Sequence, residues 1–340
     1  LVQAQTPAAL IPHSLTSASL VAEIIHKKFL LATPLYRQLA DWQRLGIVLS
    51  EATISNWIIK TSQLVEPIYN LLQQRLNSQR YLQGDETPMQ VLREPGKTAA
   101  AKSYMWVART VKQSPQQIIF YAYGNTRSGT FAQKLYQNFT GILQCDGYGG
   151  YNLLENSVTR VGCWAHVRRK FYDAAQVNGE LINSVPLRLI GEMFTLERQW
   201  QHFSPRVRQL LKRFWKWINL AEVLPKSRLG KAITYAIDQR FTLERLINIG
   251  QMDWSNNAAE RNMKSLVIGR KNWLFSTSQA GARSTAIWLT LVESAKVNGL
   301  NPRAYVTYLL KAMPQHPSFA DLAPLEDYLP WNYPRNMPVS

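Results

Sequence analysis

Three acidic residues stand in three unlike settings. Asp85 lies in Tyr81-Leu-Gln-Gly-Asp-Glu-Thr-Pro, Asp146 closes the apolar run Gly141-Ile-Leu-Gln-Cys-Asp ahead of Gly147-Tyr-Gly-Gly-Tyr, and Glu260 lies in Asn256-Asn-Ala-Ala-Glu-Arg. Carboxylates are hard oxygen donors, and Mg²⁺ keeps several of its waters, so a few of them suffice to hold it. Two such ions about 4 Å apart can serve both the attacking and the leaving oxygen of a phosphodiester cleavage. In that arrangement one acid bridges the ions, and Asp85, on a strand expected to be central, is the candidate bridge. Two neighbouring acids are set aside. Glu86 follows Asp85 on a strand and so points to the other face. Asp253 lies ahead of the helix that Glu260 occupies. Three acids alone are weak evidence, because any soluble chain offers many triples.

The rest of the chain is strongly basic. Its 340 residues carry 39 Lys and Arg against 22 Asp and Glu, a formal net charge of +17. Such an excess favours a polyanionic partner, nucleic acid above all. No apolar run approaches the roughly 20 residues needed to span a bilayer, and no signal peptide is expected, although Leu1 in place of Met points to a missing start. The two cysteines, Cys145 and Cys163, form neither a metal knuckle nor a disulfide framework, which fits a reducing cytoplasm. There is no internal repeat. A bacterial cytoplasmic location, associated with the nucleoid and away from membranes, is the expectation.

The elements that must position the acids are legible in outline. Residues 14–80 read as helical: Leu20 to Leu31 at helical spacing, a second helix from Pro34 through Leu45, a break at Gly46, and a third helix capped by Ser50. Helix, short Gly turn, helix is a helix-turn-helix pattern, but the third helix is poor in Arg and Lys, so an ordinary packing unit is slightly favoured. Segments 81–92, 103–111 and 117–123, rich in Val, Ile, Tyr and Phe, predict three strands. A helix over 127–138, a buried strand over 141–146, a fifth strand over 158–164 and a basic helix over 165–175 follow. This is the order of a ribonuclease-H-like α/β core with a five-stranded mixed sheet, in which the first and fourth strands lie side by side and bring Asp85 next to Asp146. Residues 176–252 predict an inserted helical subdomain (192–203, 205–220 and 227–249). Between Arg206 and Lys231 it holds eight Arg or Lys and one acid, with Trp215 and Trp217 interleaved, a composition that either lies on a solvated face or contacts nucleic acid. The core resumes over 253–313 with the Glu260 helix, an amphipathic helix from about 280 to 298 stopped by Gly299, and a helix over 302–313. The tail, 314–340, is expected to be extended.

Five ordered motifs then resemble bacterial transposases of the insertion-sequence-66 family. They are Gly84-Asp-Glu-Thr-Pro, Leu143-Gln-Cys-Asp-Gly-Tyr-Gly-Gly-Tyr, Val161-Gly-Cys-Trp-Ala-His-Val-Arg-Arg-Lys-Phe, Asn256-Asn-Ala-Ala-Glu-Arg and Gly269-Arg-Lys-Asn-Trp-Leu-Phe; the ending Leu329-Pro-Trp-Asn agrees as well. The resemblance runs from about Ile11 to Tyr333. It implies an Asp-Asp-Glu enzyme with Asp85, Asp146 and Glu260 as catalytic, metal-binding acids, two Mg²⁺ (Mn²⁺ substituting), hydrolysis at the element ends to expose a 3′-hydroxyl, and attack of that hydroxyl on target DNA. The 114 positions between Asp146 and Glu260 suit the insertion. Double-stranded DNA is the implied partner, bound by at least a dimer, with helper proteins from the same element. The chain departs from the family at Ser255, where Asp is usual, at Lys264, where Arg is usual, and at Cys145, where a small residue is common. The coiled-coil and Cys-rich N-terminal regions of longer members have no counterpart in it. Two rivals follow: an inactive DNA-binding derivative, and a ribonuclease-H-like nuclease without strand transfer.

The DNA contacts are expected at His166, Arg168, Arg169 and Lys170, where His166, Arg169 and Lys170 share one helix face by i, i+3, i+4 spacing and form a phosphate clamp or a plain basic surface. Arg270, Lys271 and Trp273 are expected to contact DNA by charge and stacking, with Arg270 and Lys271 outward on a loop and Leu274 and Phe275 inward. Arg261 and Lys264, on the Glu260 helix, are expected to contact DNA or to pair with carboxylates in its absence. Trp288 is read as core.

Overall fold

The computed structural model describes residues 9–178, 184–199, 204–249, 253–315 and 323–334. The helices are α1 (Ala18–Ile25), α2 (Leu35–Arg44), α3 (Glu51–Leu64), α4 (Glu66–Asn77), α5 (Gly129–Leu135), α6 (Trp164–Asn178), α7 (Val185–Arg198), α8 (Pro205–Leu220), α9 (Arg228–Asp238), α10 (Arg240–Ile249), α11 (Asn257–Trp273), α12 (Gln279–Val297) and α13 (Pro302–Ala312). The strands are β1 (Tyr81–Arg93), β2 (Lys102–Thr110), β3 (Ile119–Gly124), β4 (Ile142–Gln144), β5 (Thr159–Val161) and β6 (Ser276–Ser278). Among the described residues they form one mixed sheet in the order β3-β2-β1-β4-β5, with β6 also pairing β1. The order agrees with the ribonuclease-H-like expectation, with the first and fourth strands adjacent. β6 is an addition that the sequence reading lacked; it runs parallel to β1, Val91 opposite Ser276. Among the described residues no helix is long and apolar enough to cross a membrane.

The chain divides into two compact units. One comprises residues 1–79, 85–139 and 259–340, and the other residues 80–84 and 140–258. In the first, Ser50 caps α3 by accepting the Thr53 amide, as its position predicted, and the break before α3 falls at Gly46, whose φ of +81° suits glycine. The expected helix over 20–31 is instead α1 followed by a π-turn at His26–Leu30. α3 is a core helix: Ile54, Trp57, Ile58, Thr61 and Ser62 are buried.

α12 corrects the amphipathic expectation. It is buried without a break from Ser284 to Ala295, and its small and hydroxyl-bearing residues explain how. Thr290 Oγ1 and Ser294 Oγ, four apart, accept the outward amides of Tyr121 (2.9 Å) and Ile119 (3.1 Å). These are the β3 amides that β2 leaves unpaired at the sheet edge, so the helix blunts that edge and satisfies its own hydroxyls at once.

In the second unit, α6 packs on α7 and α9, α7 on α8, and α10 on α9 and β5. The single helix expected over 227–249 is broken at Gln239 into α9 and α10. The parallel pairs Tyr81–Ile142, Leu82–Leu143 and Gln83–Gln144 set the register of β1 on β4. Of the tail, residues 323–328 and 330–332 form 3₁₀ turns rather than extended chain; residues 316–322 and 335–340 lie outside the described residues.

Candidate active site

The site is built from a buried amide cluster in the second unit. Gln83 and Gln144, opposite each other in register, are 2% and 0% exposed, and their side chains join by a 2.7 Å hydrogen bond from Gln83 Nε2 to Gln144 Oε1. Two amides in a sheet interior are costly unless paired, and both are also tied to the segment that leads into α11. Gln144 Nε2 donates to the Asp253 carbonyl (2.8 Å) and Gln83 Nε2 to that of Ser255 (3.3 Å). Asn256, fully buried, donates from Nδ2 to the Gly84 carbonyl at 2.7 Å, and its own amide points at Cys163 Sγ, 3.2 Å away. Asn256, which directly precedes α11, spends its side-chain amide on β1. The acids flank this cluster in the chain. Asp85 and Asp146 each stand two positions beyond a paired glutamine, and Glu260 stands four beyond Asn256.

Removing the Asn256 amide tests the cluster. Asn256→Ala leaves the buried Gly84 carbonyl without its donor, which costs about 1–3 kcal/mol. The expected result is a lower urea midpoint with an unchanged slope, and an unchanged midpoint would show that the bond carries no weight.

Asp146 lies just past β4, which ends at Gln144, and so in a loop rather than on the strand that was expected. The shape of the loop is fixed locally. Asp146 Oδ1 accepts the Tyr148 amide at 2.9 Å, and a β-carbon on Gly147 would come within 2.7 Å of the Tyr235 ring and 3.0 Å of Gln239 Cδ. Burial, reinforced by the Asp146 charge, pushes the Tyr235 phenol well above its ordinary value. Its ring face receives the Lys170 ammonium at 4.5 Å. Tyr235, from the helical insertion, therefore packs directly on the Asp146 loop. Nothing in the local sequence around Tyr235 signals this, because the contact is made by tertiary folding alone. Gly147→Ala is expected to cost about 1–3 kcal/mol by overpacking, read as a lower melting temperature. Adding Tyr235→Leu should recover part of the loss, and no recovery would locate the strain elsewhere.

In the first unit, Asp85 Oδ1 accepts the amide of Glu86 at 2.9 Å. Glu86 itself is held by Arg127, whose Nε lies 2.9 Å from Glu86 Oε1. Glu260 is half-buried in the first turn of α11. That helix is anchored two residues on: Arg109 donates to Asn262 Oδ1 (2.8 Å) and the buried Tyr121 hydroxyl to the Asn262 carbonyl (2.7 Å). Arg261 and Lys264 are exposed on α11. Its far end departs from expectation. The helix runs through Trp273, so the Gly269–Trp273 motif is helical rather than a loop. Arg270 is turned to β1, bonding the Pro88 carbonyl, and Lys271 is exposed. Trp273 packs edge-on against Phe29 at 6.1 Å and receives Lys28 over its ring at 5.3 Å. Leu274 and Phe275, expected inward, are 62% and 41% exposed; Leu274 turns the chain out of the helix with φ +63°.

The basic residues of α6 diverge. Arg168 and Arg169 line a cavity of about 620 Å³ with Ser255 and Asn257 at the entrance to α11, while Lys170 turns to Tyr235 and His166 is half-buried. Glu197 lines the same cavity; burial holds its carboxyl above the usual range against the opposing effect of the Trp254 amide that it accepts at 2.7 Å. Carboxylates are the donors that a hard divalent cation such as Mg²⁺ takes; Asp85 and Glu260 belong to the first unit and Asp146 to the second. Among the described residues, no three His, Cys, Asp or Glu side chains form a ready-made metal cluster.

Residues 13–284 match the family described as Transposase IS66 family, and residues 290–331 match the IS66 C-terminal element. Two uncharacterized proteins of Sinorhizobium fredii (strain NBRC 101917 / NGR234) are similar along nearly the whole chain. Protein y4jD is 29% identical over 98% of this chain and 69% of its own length, and y4qI is 28% identical over 98% of this chain and 65% of its own length. The chain thus spans about two thirds of the length of these relatives.

Proposed function

Since the chain belongs to the IS66 transposase family, we propose that it is a DNA transposase that hydrolyses phosphodiesters at element ends and joins the freed 3′-hydroxyls to target DNA. Asp85, Asp146 and Glu260 would hold Mg²⁺, with phosphate oxygens and water completing the donor set. Bound there, the ion would activate the attacking oxygen and stabilise the leaving one. The chain's own residues do the rest. Gln83, Gln144 and Asn256 tie the segment before α11 to the strand ends that precede Asp85 and Asp146, and Arg109 and Tyr121 hold the helix that carries Glu260. Arg168 and Arg169 would receive the DNA backbone, since guanidinium forks match phosphate geometry. Arg261, Lys264 and Lys271, exposed along α11, would add charge along the same path. At least a dimer on paired ends, with helper proteins from the same element, is the assembly proposed.

The observation that carries this reading is the buried Gln83–Gln144 pair. It stands 61 positions apart, as Asp85 and Asp146 do, two residues ahead of each acid in the chain. The test uses a labelled duplex carrying the element end, a supercoiled target plasmid and excess Mg²⁺. Nicked ends with free 3′-hydroxyls and covalent joint products support the reading. Cutting without joining would favour a plain nuclease, and binding without cutting an inactive derivative.

A further inference from the structure

We infer that the helical insertion carries a second, sequence-independent docking tract for the backbone of double-stranded DNA, on the exposed face of α8 and the adjoining start of α10. Arg208, Lys212 and Lys216 recur every fourth residue along α8 and are all exposed, while Val207, Leu210, Phe214 and Ile218 bury the opposite face. At 1.5 Å per residue the stripe spans roughly 12 Å, with a cation about every 6 Å. Among the described residues none of the three forms an ion pair, so their charge is not consumed internally. They line a groove of about 610 Å³ shared with Arg240, Asn219 and Asn248.

Trp215 decides what the groove binds. The sequence offered it as a surface on which a base could stack, but the ring is 5% exposed and packs against Trp164 and Phe214. Its accessible partner is the Arg240 guanidinium, 4.9 Å over the ring and 2.8 Å from Glu244 Oε1. Arg240 is thereby held in place at the groove as a fourth cation, in the manner of guanidinium–aromatic stacking. Four cations, one paired acid and two exposed amides rim the groove, with Leu211 and the exposed Leu220 among them; the cations suit phosphates, and contacts of that kind position DNA without reading its sequence. The identity of the polyanion rests on the transposase reading, but the tract itself does not require that this protein cut DNA.

The full chain is tested by fluorescence anisotropy on an arbitrary 30-bp duplex (about three helical turns), without divalent metal, across a KCl series. Arg208→Gln/Lys212→Gln/Lys216→Gln is compared with a control of equal net charge, Lys60→Gln/Lys112→Gln/Lys134→Gln, whose positions are exposed and lie outside the insertion. The stripe variant is expected to lose affinity on the order of 10- to 100-fold near 100 mM KCl, with a log–log salt slope shallower by about 0.9 per contact removed. The control should move little. Single Lys212→Gln and Lys216→Gln variants, with melting curves beside those of wild type, keep the test decisive if the triple variant unfolds. Equal losses in stripe and control would reduce the effect to net charge and overturn the inference, as would unchanged binding in the stripe variant. A wild type that binds DNA through this tract but never cuts would defeat the catalytic reading and leave the tract standing.

Discussion

Asp85→Asn, Asp146→Asn and Glu260→Gln are each expected to lower Mg²⁺-dependent end cleavage by at least about a thousandfold, equivalent to roughly 4 kcal/mol of transition-state stabilisation at 1.36 kcal/mol per decade. Each substitution keeps the shape of the side chain and removes only the anionic oxygen that a hard cation requires. The local structure predicts that the folds survive. Asp146 Oδ1 accepts the Tyr148 amide and Asp85 Oδ1 that of Glu86, and a carboxamide oxygen can accept the same bonds. Affinity for end DNA should therefore stay near wild type while cleavage disappears. Glu86→Gln and Asp253→Asn serve as contrasts. Glu86 is committed to Arg127, and Asp253 is exposed ahead of α11, so both should cut at rates within a few-fold of wild type. Cleavage that survives any one of the three triad changes would remove that acid from the site.

The second large effect concerns stability. Trp288→Ala is expected to destabilise the first unit by about 3–5 kcal/mol. Trp288 is fully buried, and its Nε1 donates to the Ile58 carbonyl at 3.0 Å, where Ser284 Oγ also donates at 3.1 Å. Truncation opens a large cavity between α12 and α3. Trp288→Phe keeps most of the volume and leaves Ile58 with its Ser284 bond, so its cost should fall to roughly 1–2 kcal/mol. Urea unfolding followed by amide exchange at Ile119 and Tyr121 reads the change directly, because those amides depend on the hydroxyls of the same helix. Equal, small effects of Ala and Phe would mean that α12 is not the central buried helix described above.

The sequence carried the larger elements because their signals are local. Runs rich in Val, Ile, Tyr and Phe announced β1, β2 and β3, and Ser50, Gly46 and Gly299 punctuated helices where they were expected to. What failed was set by tertiary packing. α12 reads as amphipathic because Ser and Thr count as polar, yet Thr290 and Ser294 are buried since β3 supplies their partners. Trp215 looked available because basic residues surround it in sequence, but it sits at the edge of the buried face beside Arg208 and Lys212, with its ring packed on Trp164 and Phe214. Leu274 and Phe275 looked like core because they are apolar; they follow the end of a helix and turn outward before β6. Of the candidate site, the three acids are nominated by their settings and by the resemblance of the motifs around them. The buried amides a few positions ahead of the acids in the chain, Gln83, Gln144 and Asn256, were not singled out, although two glutamines with the same separation as the two aspartates were open to sequence reading. Tyr235 gave no such signal.

Manganese binding, measured by electron paramagnetic resonance on the full protein bound to an uncut end duplex, tests the metal assignment without relying on turnover. The account predicts that wild type, Glu86→Gln and Asp253→Asn bind Mn²⁺ with the same stoichiometry and similar affinity, while Asp85→Asn, Asp146→Asn and Glu260→Gln each lose sites or bind at least about tenfold more weakly, a difference of about 1.4 kcal/mol. Wild-type Mn²⁺ binding in the Asp146→Asn protein would contradict it.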